Sequence, residues 1–270
     1  MIYKINEIRK KTVDRNPLVH CITNPISINQ CANGILGIGA RPMMAEHPQE
    51  VAEITQTADA VVLNIANITD IRMQSVKISA QTAQNNNIPH IMDAVGVSCS
   101  SLRRSFVNDF LREFAPTAIK GNYSEIYALF NDSYNCAGVD ADSSLATERI
   151  GETAAKLARK HNTMVLASGK TDIVTDGNTT VYINNGVPQL AQITGTGCLL
   201  GMLCGCYLSV DRSINALVTA CAVLGISGEL SQTEKGNGTF FVNLMDNLSV
   251  QKDVQIDELL KIEVKTNEEF

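Results

Sequence analysis

Residues 59–93 have the sequence DAVVLNIANITDIRMQSVKISAQTAQNNNIPHIMD, which contains one complete strand–helix–strand pattern. An apolar, β-rich run at 59–64 is followed by a helical pattern at 71–85 and by a second short apolar run at 90–93. Strands that alternate with helices of this length are typical of βαβ units, in which the two strands run parallel. This stretch therefore predicts an α/β fold with a parallel sheet.

The same alternation extends on both sides of this unit. Further strands are predicted at 17–22, 117–120 and 163–167, and further helices at 27–37, 102–114 and 145–160. Between 172 and 182 the pattern changes, because two short β-rich runs flank the turn Asp176-Gly177-Asn178, a strong hairpin signal. Later helices are predicted at 197–210, 214–229, 240–248 and 257–262, before a charged end. We expect residues 1–270 to form a single three-layer α/β/α domain, with a mostly parallel central sheet, helices on both faces and a late β-hairpin.

The composition argues against several classes of function. Lys and Arg number 22 against 28 Asp and Glu, and no long basic run occurs, so a nucleic-acid partner is not expected. The start of the chain lacks the pattern of a secretory signal, and no apolar run reaches the ~18 residues of a spanning helix. We therefore expect a cytoplasmic protein without a membrane partner. In that compartment the eight cysteines are expected to be free thiols.

Polar residues follow the predicted strands at the positions where ligands bind. Open parallel sheets bind ligands beyond the carboxyl ends of their strands. The residues found there are Thr23, Asn24, Asn64, Asp93, Lys120 and Ser168. Asp93, together with Glu125 shortly after Lys120, is of the type that holds Mg²⁺ directly or through its waters. Other roles remain open for both, since Asp93 could be a turn or helix-capping aspartate and Glu125 a capping-box partner.

A glycine turn, Thr194-Gly195-Thr196-Gly197-Cys198, leads directly into an apolar helical pattern. Such a turn places several backbone N–H groups at the positive end of a helix dipole, where a phosphate or a transferring phosphoryl group binds. An ordinary helix start fits the pattern equally well, and the turn matches neither the P-loop nor the dinucleotide fingerprint. A second glycine cluster, at 34–39, ends a predicted helix and indicates a helix stop.

Taken in chain order, nine segments resemble the hydroxyethylthiazole kinase family, a branch of the ribokinase-like superfamily. They are VHCITNP at 19–25, NQCANG at 29–34, GARPMMA at 39–45, LNI at 63–65, DAVG at 93–96, KGNYSEI at 120–126, SGKTD at 168–172, GTGC at 195–198 and GNGTF at 236–240. The HCITN and PMMA runs are much more specific than any glycine loop. The resemblance spans most of the chain and implies a ribokinase-like fold.

The resemblance also implies a reaction and a set of roles. ATP would phosphorylate the primary hydroxyl of 4-methyl-5-(2-hydroxyethyl)thiazole, in thiamine salvage, with Mg²⁺ as the metal. The implied roles are thiazole contact for Met44 and Gly195, with Asn24 in the same pocket, ATP contact for Lys120 and Ser168, and arrangement of magnesium and phosphates for Asp93 and Glu125. The family assembles as a trimer with sites at subunit interfaces, so a homotrimer is expected.

The turn at the start of the late helix carries the predicted catalytic residues. The backbone of Gly195, Thr196 and Gly197 would hold the transferring group. Cys198 stands where many ribokinase-like relatives have an aspartate base. A helix N-terminus lowers the pKa of a thiol, but adjacent phosphates oppose formation of a thiolate. We expect Cys198 to orient the substrate hydroxyl and to be at best a weak base.

Several positions depart from the family pattern, and two alternative functions stay open, the second of which the departures at Lys120 and Ala94 allow. The family usually has Arg at Lys120, Thr at Ser168, and Pro at Ala94 and Asn237. Lysine keeps the charge but lacks the planar fork that grips phosphate with two hydrogen bonds. One alternative is another ribokinase-like vitamin kinase, of the hydroxymethylpyrimidine or pyridoxal type. The other is a nucleotide-binding regulator that lacks catalysis.

Overall fold

The structure, a computed structural model, describes residues 4–131, 133–134 and 146–266. In this part of the chain the predicted apolar runs belong to one sheet. The strands are β1 (Leu18–Ile22), β2 (Arg41–Met43), β3 (Ala60–Asn64), β4 (His90–Asp93), β5 (Ala118–Asn122), β6 (Met164–Ser168), β7 (Asp172–Thr175), β8 (Thr179–Ile183) and β9 (Ile262–Thr266). The helices are α1 (Ile5–Arg15), α2 (Ile28–Gly37), α3 (Val51–Thr57), α4 (Asp70–Asn85), α5 (Ser101–Glu113), α6 (Tyr123–Phe130), α7 (Thr147–His161), α8 (Thr196–Leu208), α9 (Ile214–Leu230), α10 (Asn237–Val250) and α11 (Asp253–Leu259).

The first six strands run parallel, and the last three are added antiparallel. The order across the sheet is β2-β1-β3-β4-β5-β6-β7-β8-β9. Because β1 lies between β2 and β3, the direction in which the chain crosses the sheet reverses at β1. Ligands of open α/β sheets bind outside the carboxyl ends of the strands at such a reversal. The topology therefore favours a site beyond the ends of β1, β3 and the strands next to them.

Apolar side chains divide into two cores, one on each face of the sheet. One core contains buried residues of α1, α2 and α8–α11, and the other contains buried residues of α3–α7. β3 has the sequence AVVLN and is buried at every position. Continuous burial of this kind is typical of a parallel strand that is covered by helices on both faces. The predicted fold class, three layers with a mostly parallel central sheet, is confirmed.

Two elements near the end of the chain show where local pattern succeeds and fails. The late hairpin is confirmed, since β7 and β8 pair antiparallel. The predicted helix at 257–262 is wrong in its bounds, because α11 ends at Leu259 and Ile262–Thr266 forms β9 along β8. That pairing joins residues about eighty positions apart, which a local helical pattern does not reveal. Residue 145, where a helix was predicted to begin, and the charged end at 267–270 lie outside the described residues.

Within the described ranges, no helix is long and apolar enough to cross a membrane.

Candidate active site

A buried ion pair lies at the carboxyl ends of β4 and β5. Asp93 and Lys120 are in register on these strands, and Lys120 Nζ is 3.0 Å from Asp93 Oδ1. Lys120 is 3% exposed and Asp93 is fully buried. Asn64, at the end of β3, donates a hydrogen bond from Nδ2 to Asp93 Oδ2 at 2.7 Å. Asp93 Oδ1 is buried, and among the described residues its polar partner is the Lys120 ammonium, with no neutral donor beside it.

The electrostatics of this pair keep Lys120 charged. Burial opposes the ammonium, but the carboxylates of Asp93 and Glu125 outweigh it and raise the pKa of Lys120. Burial likewise raises the pKa of Asp93, and Lys120 opposes that rise. A positive charge held in a site with little water interacts strongly with any anion that enters, because the local dielectric constant is low. Lys120 is therefore suited to contact phosphate.

Glu125 is buried beside the pair and is held by two backbone donors. Its Oε1 accepts a hydrogen bond from Gly96 N at 2.7 Å, and its Oε2 accepts one from Asn122 N at 2.6 Å. Asn122 accepts in return from Glu125 N, so the capping box that the sequence left open is present at the start of α6. Burial raises the pKa of Glu125 to about 7, against the opposing effect of Lys120 and the two N–H donors. The capping box is compatible with a functional role for Glu125, because the cap fixes the carboxylate beside Lys120.

The glycine turn at the start of α8 is held tightly from one side. Gly195 has φ +90°, and a Cβ there would lie 2.7 Å from Ser27 Cβ and even closer to Gln30 Nε2. Gln30 Nε2 also donates to Thr194 O at 2.7 Å. The hydroxyl of Thr196 contacts the carbonyl oxygens of Leu190 and Ile193 at 2.9 and 3.1 Å, so this side chain shapes the turn.

The backbone amides of this turn are the groups that the sequence predicted to bind phosphate. The N–H of Thr196 has a long contact of 3.5 Å to Ile193 O. The N–H groups of Gly197 and Cys198 have no hydrogen-bond partner among the residues that the structure describes. Unpaired N–H groups at a helix start carry partial positive charge and bind anions. The turn therefore has the properties of an anion-binding helix start, a possibility that the sequence pattern left undecided.

The turn and the ion pair are adjacent. A Cβ at Gly197 would lie 3.6 Å from Lys120 Nζ, and a Cβ at Gly201, one helical turn later, would lie 3.0 Å from Asp93 Oδ2. Helix α8 thus packs its small residues against the ends of β4 and β5. The ammonium, the free amides and the carboxylate come together in one place only because this helix approaches so closely.

Cys198 points toward the end of β1. Asn24 Nδ2 donates to Cys198 Sγ at 3.3 Å and to Ser27 Oγ at 2.8 Å. Burial, and then Asp93, raises the pKa of Cys198. Both effects favour the neutral thiol, in the direction opposite to that of the helix N-terminus.

The remaining predicted residues lie around this centre. Met44 follows β2 and is partly buried against the same apolar cluster that Cys198 contacts. Its loop is tied to β1 by buried His20, whose Nε2 is 3.0 Å from Ala45 O. Ser168 ends β6, where it pairs with Asn122, and its Oγ contacts Gly121 O at 3.4 Å. The structure thus gathers Asp93, Glu125, Lys120, Gly195–Cys198 and Asn24 at one end of the sheet, with Met44 on one side of them and Ser168 on the other.

Sequence reasoning did not assign site roles to Asn64, Ser27 and Gln30. Asn64 had a signal, since it is the last residue of a strand beside Asp93. Gln30 lies in the NQCANG segment and Ser27 in no quoted segment, but no local pattern directed either residue to the turn, because both reach it only through the packing of α2 against α8.

The fold resembles that of ribokinase-like proteins. A ribokinase-like superfamily protein from Enterococcus faecalis matches with a TM-score of 0.65 at 12% identity, covering 93% of this chain and 88% of its own. A pyridoxal kinase from Staphylococcus aureus in complex with ADP matches with a TM-score of 0.67 at 12% identity, covering 92% and 98%. At these identities the likeness establishes the ribokinase-like fold alone.

Closer comparisons identify the family. The family model described as "Hydroxyethylthiazole kinase family" matches residues 9–253. "Hydroxyethylthiazole kinase 2" from Clostridium botulinum is 42% identical over 259 residues, with 94% of this chain and 98% of that protein covered. The structure of a hydroxyethylthiazole kinase protein from Pyrococcus horikoshii OT3 has a TM-score of 0.89 at 31% identity, with 97% and 98% covered. The chain belongs to the hydroxyethylthiazole kinase family, as its motifs predicted, and it is a kinase.

Proposed function

We propose that this protein transfers the γ-phosphoryl group of ATP to the primary hydroxyl of 4-methyl-5-(2-hydroxyethyl)thiazole, in thiamine salvage. One observation carries the proposal beyond family membership. The amides of Gly197 and Cys198, unpaired within the described chain, begin a helix directly beside the Lys120 ammonium and the Asp93 carboxylate. Donors and a cation held at one point are what an in-line phosphoryl transfer requires, because negative charge spreads over the transferring group.

In this reaction the protein's own groups position the substrates and neutralise the negative charge of the phosphates. The substrate hydroxyl attacks the γ-phosphorus in line, and the bond to the β-phosphate oxygen breaks as the new bond forms. The amides of Gly197 and Cys198 donate to the transferring oxygens. Lys120 offsets negative charge on the phosphates, and Ser168 contacts ATP at the end of β6. Because these groups are fixed by strand and helix ends before substrate binds, little reorganisation accompanies the reaction.

Asp93 and Glu125 fit a magnesium ion. Among the described residues Asp93 Oδ1 is paired only with the Lys120 ammonium, and Glu125 lies nearby with both oxygens directed by backbone donors. Among the described residues no third His, Cys, Asp or Glu joins them. One or two carboxylates with waters and substrate phosphates is the usual set for Mg²⁺. When bound, the ion would neutralise charge on the phosphates of ATP.

The thiazole alcohol would bind beside Asn24, Met44 and Gly195. Cys198 would orient the hydroxyl and would be at best a weak base, because burial and Asp93 raise the pKa of its thiol. The hydroxyl proton would leave late, to water or to an oxygen of the transferred phosphoryl group, since the transition state for phosphoryl transfer is loose and places little demand on a base.

We also propose the homotrimer with sites at subunit interfaces. β2 is three residues long and lies at the edge of the sheet. Met43 is 37% exposed, in the residue before Met44. An exposed apolar side chain next to a substrate residue favours a second subunit covering this edge. The cytoplasmic location stays a prediction.

The test is coupled ADP release with hydroxyethylthiazole present and absent. We expect ADP release that depends on both the thiazole alcohol and Mg²⁺, with the phosphate ester formed in equal amount. Hydroxymethylpyrimidine and pyridoxal serve as competing acceptors. A preference for either would replace the substrate assignment, and ATP binding without transfer to any alcohol would support the regulator instead.

A further inference from the structure

Arg103 uses its guanidinium to join two loops behind the proposed magnesium residues. It is the third residue of α5 and is half-buried. Nη1 donates to Ile65 O at 2.5 Å and to Val95 O at 3.0 Å, and Nη2 donates to Ala66 O at 2.9 Å. The first and third acceptors follow β3, and the second follows β4. Since all three acceptors are backbone carbonyls, the planar fork matters more here than the charge alone.

The contact with Val95 leads to Glu125. Val95 is followed by Gly96, whose N–H donates to Glu125 Oε1 at 2.7 Å. Gly96 has φ +80°, and a Cβ there would lie 3.1 Å from Arg103 Cδ. The Arg103 side chain therefore lies directly against the residue that directs one carboxylate oxygen. Movement of this loop would move the Gly96 donor away from Glu125.

The contact with Ala66 leads to Asp93. Ala66 N donates to Asn64 Oδ1 at 2.9 Å, and Asn64 Nδ2 donates to Asp93 Oδ2 at 2.7 Å. Asn64 is thus held on one side by a loop residue whose carbonyl Arg103 binds. This orientation of the Asn64 amide occupies Asp93 Oδ2, so within the described chain Oδ1 faces the Lys120 ammonium.

We propose that Arg103 is a positioning residue that holds both Asp93 and Glu125 in place for a magnesium–nucleotide complex, through the loops after β3 and β4. The inference rests on the proposed function. Arg103 touches neither carboxylate and acts through Gly96 and Asn64. Residues that orient metal ligands from behind typically change metal affinity or activity by about 10–100-fold when altered.

The experiment compares Arg103→Lys with two arginine controls. Lysine keeps the charge and loses the fork. Arg104→Lys alters the next residue, whose guanidinium donates to Val97 O and Ser98 O farther along the same loop. Arg112→Lys alters an exposed position on the same helix, paired with Asp109. The direct readout is the Mn²⁺ concentration that half-saturates each protein in the presence of a non-hydrolysable ATP analogue, measured by electron paramagnetic resonance. The kinetic readout is the Mg²⁺ dependence of ADP release.

We expect Arg103→Lys to raise the half-saturating Mn²⁺ and Mg²⁺ concentrations by about tenfold or more, with KM for the thiazole alcohol unchanged. The control variants should bind Mn²⁺ like the wild type. Unchanged Mn²⁺ binding in folded Arg103→Lys would overturn the proposal, and so would an equal change in Arg104→Lys, which would indicate general loosening of the loop.

Two further measurements keep the test decisive. Arg103→Met serves as a stronger variant, and circular dichroism shows whether it folds. If Arg103→Met does not fold, Arg103→Lys alone tests the proposal, because that substitution keeps the charge and removes only the planar fork. If the wild type fails to phosphorylate the thiazole alcohol, the proposed function fails, but the Mn²⁺ titration still tests Arg103.

Discussion

Two glycine turns that look alike in sequence differ completely in their surroundings. Gly195-Thr196-Gly197 begins α8, and Gly236-Asn237-Gly238 begins α10. Each helix starts after a glycine with positive φ, +90° at Gly195 and +107° at Gly236, and neither glycine provides a side-chain cap. By pattern alone the two turns are equally good anion sites.

Their environments separate them. A Cβ at Gly236 or Gly238 would meet no atom within 4 Å, so the α10 turn is open. At the α8 turn, Gly195 is packed against α2 and Gly197 faces the Lys120 ammonium. A glycine turn before a helix is therefore only a permissive backbone. We propose that the α8 turn binds the phosphoryl group because the packing of the chain places buried charge beside amides that are unpaired among the described residues.

The largest effect is expected when the cation beside the α8 turn is removed, because this charge is what distinguishes the α8 turn from the α10 turn. Lys120→Met should lower kcat on the order of 10³-fold, because a positive charge at the transferring group typically contributes that much. It should also cost about 3–5 kcal/mol of stability, since a buried carboxylate loses its partner, although a protonated Asp93 would reduce the cost. ADP release and urea unfolding measure the two effects.

Lys77→Met is the control, because Lys77 is an exposed lysine paired with Glu113 at 3.1 Å. Exposed pairs contribute about 0–1 kcal/mol, so neither stability nor activity should change much. A folded Lys120→Met enzyme with kcat within about tenfold of wild type would contradict the importance of this charge.

Adding a methyl group to each positive-φ glycine tests the packing. Gly195→Ala should lower kcat/KM by about 10²-fold, because the clash with Ser27 and Gln30 displaces the amides that follow. Gly236→Ala should lose about 1–3 kcal/mol of stability from its backbone strain alone and keep its activity. Steady-state kinetics and thermal unfolding of both variants decide the matter. Equal losses of activity in Gly195→Ala and Gly236→Ala would show that backbone strain at either helix start, and not the location of the α8 turn beside Lys120, lowers the activity.

The buried carboxyl group of Glu125, near the α8 turn, should make the stability of the protein depend on pH. The pKa of Glu125 rises from its ordinary value of 4.5 to about 7 on folding. The folded state therefore keeps a proton that the unfolded state has lost, so stability falls as pH rises through this window and levels off above it. The penalty at high pH is about 3 kcal/mol.

Urea unfolding without metal or nucleotide, from about pH 5 to about pH 8, measures this effect. Glu125→Gln should reduce the slope in this window, to which Asp172, with its pKa raised by burial to about 6, also contributes. The overall stability of this variant also changes, since an amide has one acceptor oxygen where the carboxylate uses two for Gly96 and Asn122. The exposed Glu113→Gln serves as control and should keep the wild-type profile. A Glu125→Gln profile as steep as that of wild type would contradict the assignment.

The smallest effect is expected from adding a methyl group at the second glycine of each turn. Gly197→Ala and Gly238→Ala each replace a glycine near a helix start and should stabilise the protein by up to about 1 kcal/mol. Only Gly197→Ala should lower kcat, by about tenfold, because its methyl group would project between the turn and Lys120. Paired measurements of Tm and kcat test this. Loss of activity in both variants would mean that helix flexibility, and not the space beside Lys120, limits the reaction.

Local pattern predicted the parallel strands well for a physical reason. Runs such as β3 are buried on both faces, so their residues are apolar until the last, Asn64. Polar residues occur at the carboxyl ends of the strands, where ligands of open parallel sheets bind. Asp93, Lys120 and Asn24 were found by that rule. β2 was missed because it is only three residues long, and β9 because its identity as a strand depends on pairing with β8.

The sequence by itself determined the alternating fold, the polar ends of the strands, the late hairpin and, through its motifs, the kinase family. Each depends on short-range periodicity or on residue identity, which the sequence states directly. Only the tertiary structure decided which glycine turn faces buried charge, that Glu125 is both a cap and a neighbour of Lys120, and that Arg103 lies behind both carboxylates. These facts depend on how closely helices α2, α5 and α8 approach the strand ends, and contact between residues far apart in the chain leaves no local signature.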